Sequence, residues 1–159
     1  MPTDRTRPNA VPHEESVCSA TALRKASRRL AQLYDEALAP CGLKSTQYAI
    51  LNELVRCGDA PPTMQALAAL LVMDRSTLGH NLRPLERDGL LGLIPGDDDK
   101  RRRHVALSAE GKALAREAKK LWQVAQRRFH DVFGEPEAAQ LRHTLLGIAR
   151  DERLATLAD

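Results

Sequence analysis

The sequence predicts a mainly α-helical protein with one short β-hairpin and long helices towards both ends. Apolar residues recur at intervals of three and four along several stretches, which is the spacing of one buried face of a helix. Two short apolar segments, Leu91–Ile94 and Arg103–Leu107, have the pattern of paired strands, and the run from Gly96 to Arg103 between and into them carries seven charges. The chain of 159 residues is 43% hydrophobic and 28% charged, which suits a single globular domain.

The chain is predicted to begin with an arm and two helices. Residues 1–15 contain three prolines and little apolar material, so we expect a flexible arm there. A long helix is expected from about residue 16 to 39, because Pro40 lacks the N–H that the next helical hydrogen bond needs. A shorter helix from about 46 to 56 follows. The apolar stripe of the long helix consists of Leu23, Ala26, Leu30, Leu33, Tyr34 and Leu38.

Two short helices joined by a tight turn are predicted next. Thr63 is placed to cap the first helix, and Asp74 is placed to cap the second by accepting a free backbone N–H. Met73 and Leu78 have the spacing of a hydrophobic staple across that second cap. Gly89 occupies the position of the left-handed residue that ends many helices. The buried face of the second helix is marked by Leu78, Leu82 and Leu85.

Two further helices are predicted after the hairpin. Ser108 is placed to cap a long helix that ends at Gly134, and the last helix is expected to begin near Pro136. The long helix has an apolar stripe of Leu114, Ala118, Leu121, Ala125, Phe129 and Val132. The last helix has the apolar face Leu141, Leu145, Ile148 and Leu154.

Helix, turn, helix and then a hairpin with a basic tip is the layout of a winged helix-turn-helix, which places its second helix in the major groove of DNA. Asn81 and Arg83 have the groups best suited to base edges, whereas Ser76 and Thr77 suit phosphates. The alternative interpretation is that these polar residues only reflect exposure to solvent, because any solvent-facing helix carries such residues. The candidate DNA-binding residues are Arg75, Ser76, Thr77, His80, Asn81, Arg83, Arg87, Asp99, Lys100, Arg101 and Arg102.

Motifs that run from about Cys18 to Gly111 are similar to those of a known family. They are Leu23–Ser27, Leu33–Asp35, Ala37–Pro40, Gly42–Leu43, Thr46–Gln47, Asp74–Leu78, Leu85–Leu90, Asp99–Arg101, Val105–Ser108 and Gly111. Together they resemble the multiple-antibiotic-resistance-regulator (MarR) family of DNA-binding regulators. The resemblance implies a homodimer with interleaved N- and C-terminal helices.

The resemblance also implies roles for individual residues of the hairpin and the recognition helix. Asp99 would hold Arg101 or a neighbouring basic group in position, and Arg101 would be the main residue in the minor groove. Pro84 is familiar in the family and would bend the recognition helix. Gly79 and His80 depart from the commoner threonine-arginine pair, and His80 would be a weak phosphate contact.

The predicted terminal helices also argue for a dimer on physical grounds. Long helices with apolar stripes at both chain ends expose much apolar surface unless a partner covers it. A two-fold dimer is the commonest solution, and a bundle within one chain is the alternative. We therefore assign residues 16–40 and 108–157 to a dimerisation region and residues 41–107 to a winged DNA-binding region within a single domain.

A small-molecule site is implied by the resemblance, because members of the family commonly bind anionic or phenolic compounds between the helical base and the winged module. Aromatic side chains and a cation suit such a ligand. Tyr34 and Trp122 are alternatively core or interface residues. The candidate ligand-binding residues are Arg24, Tyr34, Tyr48 and Trp122.

Cys18 raises the alternative of a thiol-based redox sensor, because one branch of the family senses peroxides through a cysteine near the start of the first helix. In the alignment from Tyr34, however, that cysteine would fall at Ala20, and its two tyrosine partners would fall at Arg24 and Ser45. Nearby basic residues would lower the pKa of the Cys18 thiol. An inert cysteine is the other interpretation.

Other functional classes find little support in the sequence. The five histidines are scattered without a paired metal-ligand spacing, and no glycine-rich phosphate loop or nucleophile elbow is present. We therefore expect no enzyme activity, no metal and no cofactor. A winged module used only for protein contacts is a further alternative, but the basic hairpin argues against it.

The expected location is the cytoplasm. No apolar run approaches the roughly 20 residues of a membrane helix, and Arg5 and Arg7 lack the apolar block of a secretory signal behind them. Three cysteines without close pairs fit a reducing compartment. The sequence thus predicts a cytoplasmic homodimeric regulator, a repressor that binds a palindromic operator and is released by a small molecule.

Overall fold

The computed structural model describes residues 18–96 and 102–156. It contains six α-helices and one two-stranded sheet, which confirms the predicted mainly α winged helix-turn-helix fold. The helices are α1 Ser19–Leu38, α2 Ser45–Cys57, α3 Met64–Leu70, α4 Arg75–Arg87, α5 Ala109–Phe133 and α6 Glu135–Arg150, and the strands are β1 Leu91–Pro95 and β2 Arg103–Leu107. Short 3-10 turns follow α1 (Ala39–Cys41) and α6 (Glu152–Leu154). The arm predicted for residues 1–15 lies outside the described residues.

The three predicted helix caps are present. The side-chain oxygens of Thr63, Asp74 and Ser108 each accept the backbone N–H three residues further on, at 3.1, 2.8 and 2.9 Å respectively. Each of these bonds satisfies one N–H group that the first turn of a helix leaves without a partner. The caps fix where α3, α4 and α5 begin, so they also fix which face of α4 points away from the core.

The end of α4 is likewise as predicted. Gly89 adopts a left-handed conformation with φ of 72°, which glycine takes without strain. Leu90 then donates its N–H to the carbonyl of Leu85 at 2.9 Å, so the chain folds back on the last turn of the helix. The helix runs as one element through Pro84.

The hairpin pairs two antiparallel strands, with Leu91 opposite Leu107 and Pro95 opposite Arg103. Strand β1 therefore extends one residue beyond the Ile94 end that the sequence predicts. Strand β2 is also hydrogen-bonded to the loop before α3, where Val105 donates its N–H to the carbonyl of Pro62 at 2.9 Å.

The core lies within the winged module and the adjoining turns of α1 and α5. Its largest fully buried side chains are Leu38, Ile50, Leu51, Leu67, Leu78, Leu85 and Val105. Gly111 packs the start of α5 directly against the backbone before the hairpin. A Cβ at this position would lie 1.9 Å from the carbonyl oxygen of Leu90, so only glycine fits here.

The terminal helices bury much less of their apolar surface than the winged module does. Val132, expected to pack in the stripe of α5, is 71% exposed. Leu154 was expected to extend the face of α6; that prediction is wrong, because α6 ends at Arg150 and Leu154 lies in the following 3-10 turn. Exposed apolar residues of α1, α5, α6 and this turn are Leu23, Val124, Val132, Phe133, Leu146, Ile148 and Leu154.

Candidate nucleic-acid interface and adjoining pocket

The carboxylate of Asp74 organises the first turn of α4. It accepts the backbone N–H of Thr77 at 2.8 Å, the hydroxyl of Thr77 at 2.5 Å and the hydroxyl of Ser76 at 2.8 Å. The hydrogen bond from the Thr77 side chain is the largest of the effects that lower the pKa of Asp74 to about 2. Both hydroxyl hydrogens are therefore donated to Asp74, and a phosphate contact by Ser76 or Thr77 requires those bonds to open.

The rest of the outward face of α4 combines exposed basic side chains with one amide that is partly engaged in a hydrogen bond. His80 and Arg83 are exposed. Asn81 is half-buried and donates from Nδ2 to the carbonyl of Thr77 at 2.8 Å, which leaves its Oδ1 and its second amide hydrogen for a base edge. Arg87 forms an exposed ion pair with Asp88 at 3.0 Å.

A cavity of about 350 Å³ separates the start of α4 from the hairpin, and three arginines line it. Arg75 belongs to the first turn of α4, Arg103 is the first residue of β2, and Arg102 directly precedes that strand. The residues that line this cavity, called here the arginine cleft, are Thr63, Met64, Gln65, Arg75, Arg102 and Arg103. Guanidinium groups match the geometry and charge of phosphate oxygens.

Arg103 and Gln65 line this cleft but are not among the residues predicted to contact DNA. Arg103 ends the basic run Lys100–Arg103 of the sequence, which was a usable signal. Gln65 follows the helix cap at Thr63 and carried no signal of its own. Asp99, Lys100 and Arg101 lie outside the described residues, so their roles stay predictions.

A second cavity, of about 420 Å³, brings together three of the four predicted ligand residues. The ring of Trp122 lies 6.2 Å from that of Tyr34 and 6.2 Å from that of Tyr48, measured between ring centroids. Burial raises the pKa of both tyrosines, so their hydroxyls keep their protons at neutral pH. The lining of this aromatic pocket is Tyr34, Ser45, Tyr48, Ala49, Asn52, Lys119 and Trp122.

The cation of this pocket differs from the predicted one. Arg24 is exposed on α1 and does not belong to the lining, whereas Lys119 does. Sequence spacing gave no means of choosing between them, because α1 and α5 meet only through the tertiary packing.

A chain of hydrogen bonds leads away from the aromatic pocket. Tyr34 donates its hydroxyl to Oε1 of Gln126 at 2.6 Å, and Nε2 of Gln126 lies 2.7 Å from Nε2 of His130. Nη1 of Arg142 lies 3.3 Å from the same nitrogen. In the tautomer with the proton on Nδ1, the single lone pair of Nε2 can accept the shorter bond, from Gln126. The chain connects the pocket to the second half of α5 and to α6.

Cys18 is exposed immediately before the first turn of α1. A hydrogen bond from the side chain of Thr21 is the main cause of a lowered pKa of its thiol. Cys41 is half-buried and donates its thiol to the carbonyl of Leu38 at 3.0 Å, and Cys57 is also a half-buried free thiol.

Within residues 18–96 and 102–156, no cluster of three or more histidine, cysteine or acidic side chains is arranged to hold a metal ion. Over the same residues, no helix combines the length and the apolar character that crossing a membrane requires.

Comparison with known proteins identifies solved structures of the same fold. No protein-family model and no curated protein matches the chain. The Mycobacterium tuberculosis transcriptional regulator MosR is 31% identical, with a TM-score of 0.72, over 86% of this chain and 98% of that one. A second MosR structure, in complex with DNA, matches with a TM-score of 0.73 at the same identity and coverage.

Two Rhodococcus structures match at lower identity and show the fold alone. A MarR-family transcriptional regulator from Rhodococcus sp. RHA1 is 23% identical, with a TM-score of 0.73, over 83% of this chain and 94% of that one. CouR from Rhodococcus jostii RHA1, bound to p-coumaroyl-CoA, is 23% identical, with a TM-score of 0.73, over 91% of this chain and 97% of that one.

The Asp74 cap should give a measurable pH dependence of stability. Because its pKa is lowered from 3.8 to about 2, the carboxylate stabilises the fold fully above its unfolded value, and this contribution is lost as the pH falls towards 2. The melting temperature of Asp74→Asn should therefore lie below that of the wild type at pH 7, and the gap should close between pH 4 and pH 2. Asp88→Asn, at the other end of α4, is the control. A gap that stays constant over this range would contradict the assignment.

Proposed function

This chain belongs to the MarR family of winged-helix transcriptional regulators. We propose that it is a cytoplasmic homodimeric repressor that binds a palindromic operator. We further propose that a small phenolic or anionic ligand lowers its affinity for that operator. DNA binding and transcription regulation are the properties of the family. The observation that carries the proposal for this chain is the arginine cleft between the recognition helix and the hairpin. We assign it no catalytic role and no cofactor.

Contacts with DNA follow from the placement of α4 and the hairpin. In a two-fold dimer, two copies of α4 would enter successive major grooves about 34 Å apart. The phosphates of one strand would then pass the arginine cleft, while Asn81 and Arg83 would face base edges. Arg101, as the family resemblance implies, would enter the adjacent minor groove. His80, next to Gly79, is assigned a phosphate contact only.

Removing one arginine from the interface should weaken DNA binding without affecting the fold. We expect Arg75→Ala and Arg101→Ala each to lower operator affinity about tenfold or more, and to flatten the slope of log affinity against log salt by about 1. Fluorescence anisotropy with duplex DNA from upstream of the protein's own gene measures both quantities.

Arg56→Ala is the matched control for that experiment. Arg56 is an exposed arginine of α2 that pairs with Glu53 at 4.0 Å and does not line the arginine cleft. Its removal should leave both affinity and salt slope unchanged. Equal losses in Arg56→Ala and Arg75→Ala would mean that the cleft contributes only net charge.

The exposed apolar residues of the terminal helices support the homodimer. We propose that residues 16–40 and 108–157 form the dimerisation region and residues 41–107 the winged DNA-binding region. The first half of α1 is exposed throughout, and Val132 and Phe133 at the end of α5 are 71% and 46% exposed. A second copy of the chain would cover this surface.

A charge placed on that surface should separate the subunits. The wild-type chain should sediment with the mass of two chains at micromolar concentration, and Val132→Glu should shift it towards one. Val72→Glu adds the same charge to a valine that is 67% exposed in the turn between α3 and α4, so it should remain dimeric. A wild-type mass of one chain would contradict the dimer.

The aromatic pocket is our candidate effector site. The hydroxyl of Tyr34 donates its hydrogen bond to Gln126, so its oxygen presents lone pairs that can accept a hydrogen bond from a phenol. Lys119 supplies a cation for a carboxylate, and the rings of Tyr48 and Trp122 supply flat apolar walls. This combination suits an aromatic acid that carries a phenolic hydroxyl.

Two variants test separately how the carboxylate and the phenolic hydroxyl of that ligand are bound. With 4-hydroxybenzoate and benzoate as probes, Lys119→Gln should weaken both about tenfold, because each loses a charge-assisted contact. Tyr34→Phe should weaken only 4-hydroxybenzoate. Quenching of Trp122, the one tryptophan of the chain, follows the binding. Arg24→Gln is the control and should bind both probes normally. If only Arg24→Gln lost affinity, Arg24 and not Lys119 would be the residue that binds the carboxylate.

Cys18 supports a second candidate, a thiol-based redox sensor, because this thiol is exposed and its pKa is lowered. In that case peroxide would reduce operator affinity, and dithiothreitol would restore it. A response to peroxide that persists in Cys18→Ser would remove this candidate.

A further inference from the structure

A third cavity, of about 430 Å³, lies at the base of the hairpin and shares no lining residue with the aromatic pocket or the arginine cleft. Its volume falls within the range of about 300 to 1,000 Å³ that is usual for ligand pockets. The C-terminal end of α2, strand β2 and the first turns of α5 enclose it. The lining residues are Leu54, Val55, Gly58, Asp59, Pro61, Val105, Ala106, Leu107, Lys112 and Arg116.

The inner surface of this cavity, called here the hairpin-base cavity, is aliphatic. Leu54 and Val105 are only 4% and 0% exposed, so they pack beneath the cavity, whereas the half-buried Leu107 offers aliphatic surface to it. Val55, at the rim, is 46% exposed although it is apolar, so a ligand that covered it would remove apolar surface from water. Among the described residues the lining includes no aromatic side chain, which favours a flexible aliphatic body over a flat ring.

The charges at the rim favour one negative group. Lys112 and Arg116 are exposed one turn apart on α5, where side chains at i and i+4 lie side by side. Neither forms an ion pair with any residue that the structure describes. Asp59 lies on the loop after α2 and offsets one of the two positive charges, so the rim keeps a net charge of about one. A guanidinium fork fits the planar shape of a carboxylate.

We propose that the hairpin-base cavity binds an aliphatic monocarboxylate of medium chain length. Its carboxylate pairs with Arg116 and Lys112, and its chain lies on Val55 and Leu107. The ligand is thus of another chemical class than the aromatic acid assigned to the aromatic pocket, and the two sites are occupied independently.

Binding at this position bears on the hairpin. Strand β2 is held at its base by the Val105 to Pro62 hydrogen bond and by a contact of 2.6 Å between Nδ1 of His104 and the carbonyl oxygen of Pro61. A ligand wedged between β2 and α5 changes how the arginines at the start of β2 are presented to DNA. This effect on DNA rests on the proposed function, whereas the binding itself does not.

Octanoate, titrated into the full chain without DNA, tests the site. In protein with labelled valine and leucine methyl groups, the Val55, Val105 and Leu107 signals should shift and saturate with a Kd below about 1 mM, while the indole N–H signal of Trp122 stays in place. Arg116→Gln should weaken binding about tenfold, and Val55→Phe, which fills the rim from an exposed position, should abolish it. Lys119→Gln, in the aromatic pocket, is the matched control and should bind normally.

Three results would overturn the proposal. If octanoate shifts the Trp122 signal and Lys119→Gln weakens its binding, octanoate binds in the aromatic pocket instead. If octylamine binds as tightly as octanoate, Lys112 and Arg116 do not select for a carboxylate. If the methyl signals continue to shift without saturating as octanoate is added, there is no specific binding site. The consequence for DNA is measured separately: operator affinity should respond to octanoate in the wild type and not in Arg116→Gln, and a protein that binds octanoate but not DNA would refute only the proposed function.

Discussion

The close contact between Gly111 and Leu90 determines how the parts of this protein are arranged. The carbonyl oxygen of Leu90 accepts the N–H of Ser108 at 3.0 Å, and the backbone of Gly111 lies so near the same oxygen that no side chain fits. This contact brings the end of the recognition-helix segment, the base of the hairpin and the first turn of α5 to one point. The orientation of the hairpin relative to α4, and with it the arginine cleft, follows from that backbone packing.

Asp74 illustrates a conflict between folding and DNA binding within one side chain. As a helix cap it satisfies backbone N–H groups and holds two hydroxyl hydrogens. In the proposed complex with DNA, this exposed carboxylate would repel phosphate. Arg75, in the adjacent position and in the lining of the arginine cleft, would offset part of that repulsion.

The sequence predicted those features that depend on local chemistry. The caps at Thr63, Asp74 and Ser108, the glycine end of α4 and the hairpin all follow from residues within a few positions of one another. The sequence did not predict the cation of the aromatic pocket, Lys119, or the hydrogen bond from Tyr34 to Gln126. Both depend on the packing of α1 against α5, which joins residues far apart in the chain. Arg103 was not predicted to line the arginine cleft, because its place in the sequence does not reveal that it lies beside the start of α4.

Helix α5 carries residues of each of the two proposed ligand sites. Its 25 residues span about 37 Å, and it carries Lys112 and Arg116 at the hairpin-base cavity. Further along the same helix, Lys119 and Trp122 line the aromatic pocket, and Gln126 begins the hydrogen-bond chain to α6. The two proposed ligands would therefore contact different turns of the one helix that joins the hairpin to the proposed dimer surface.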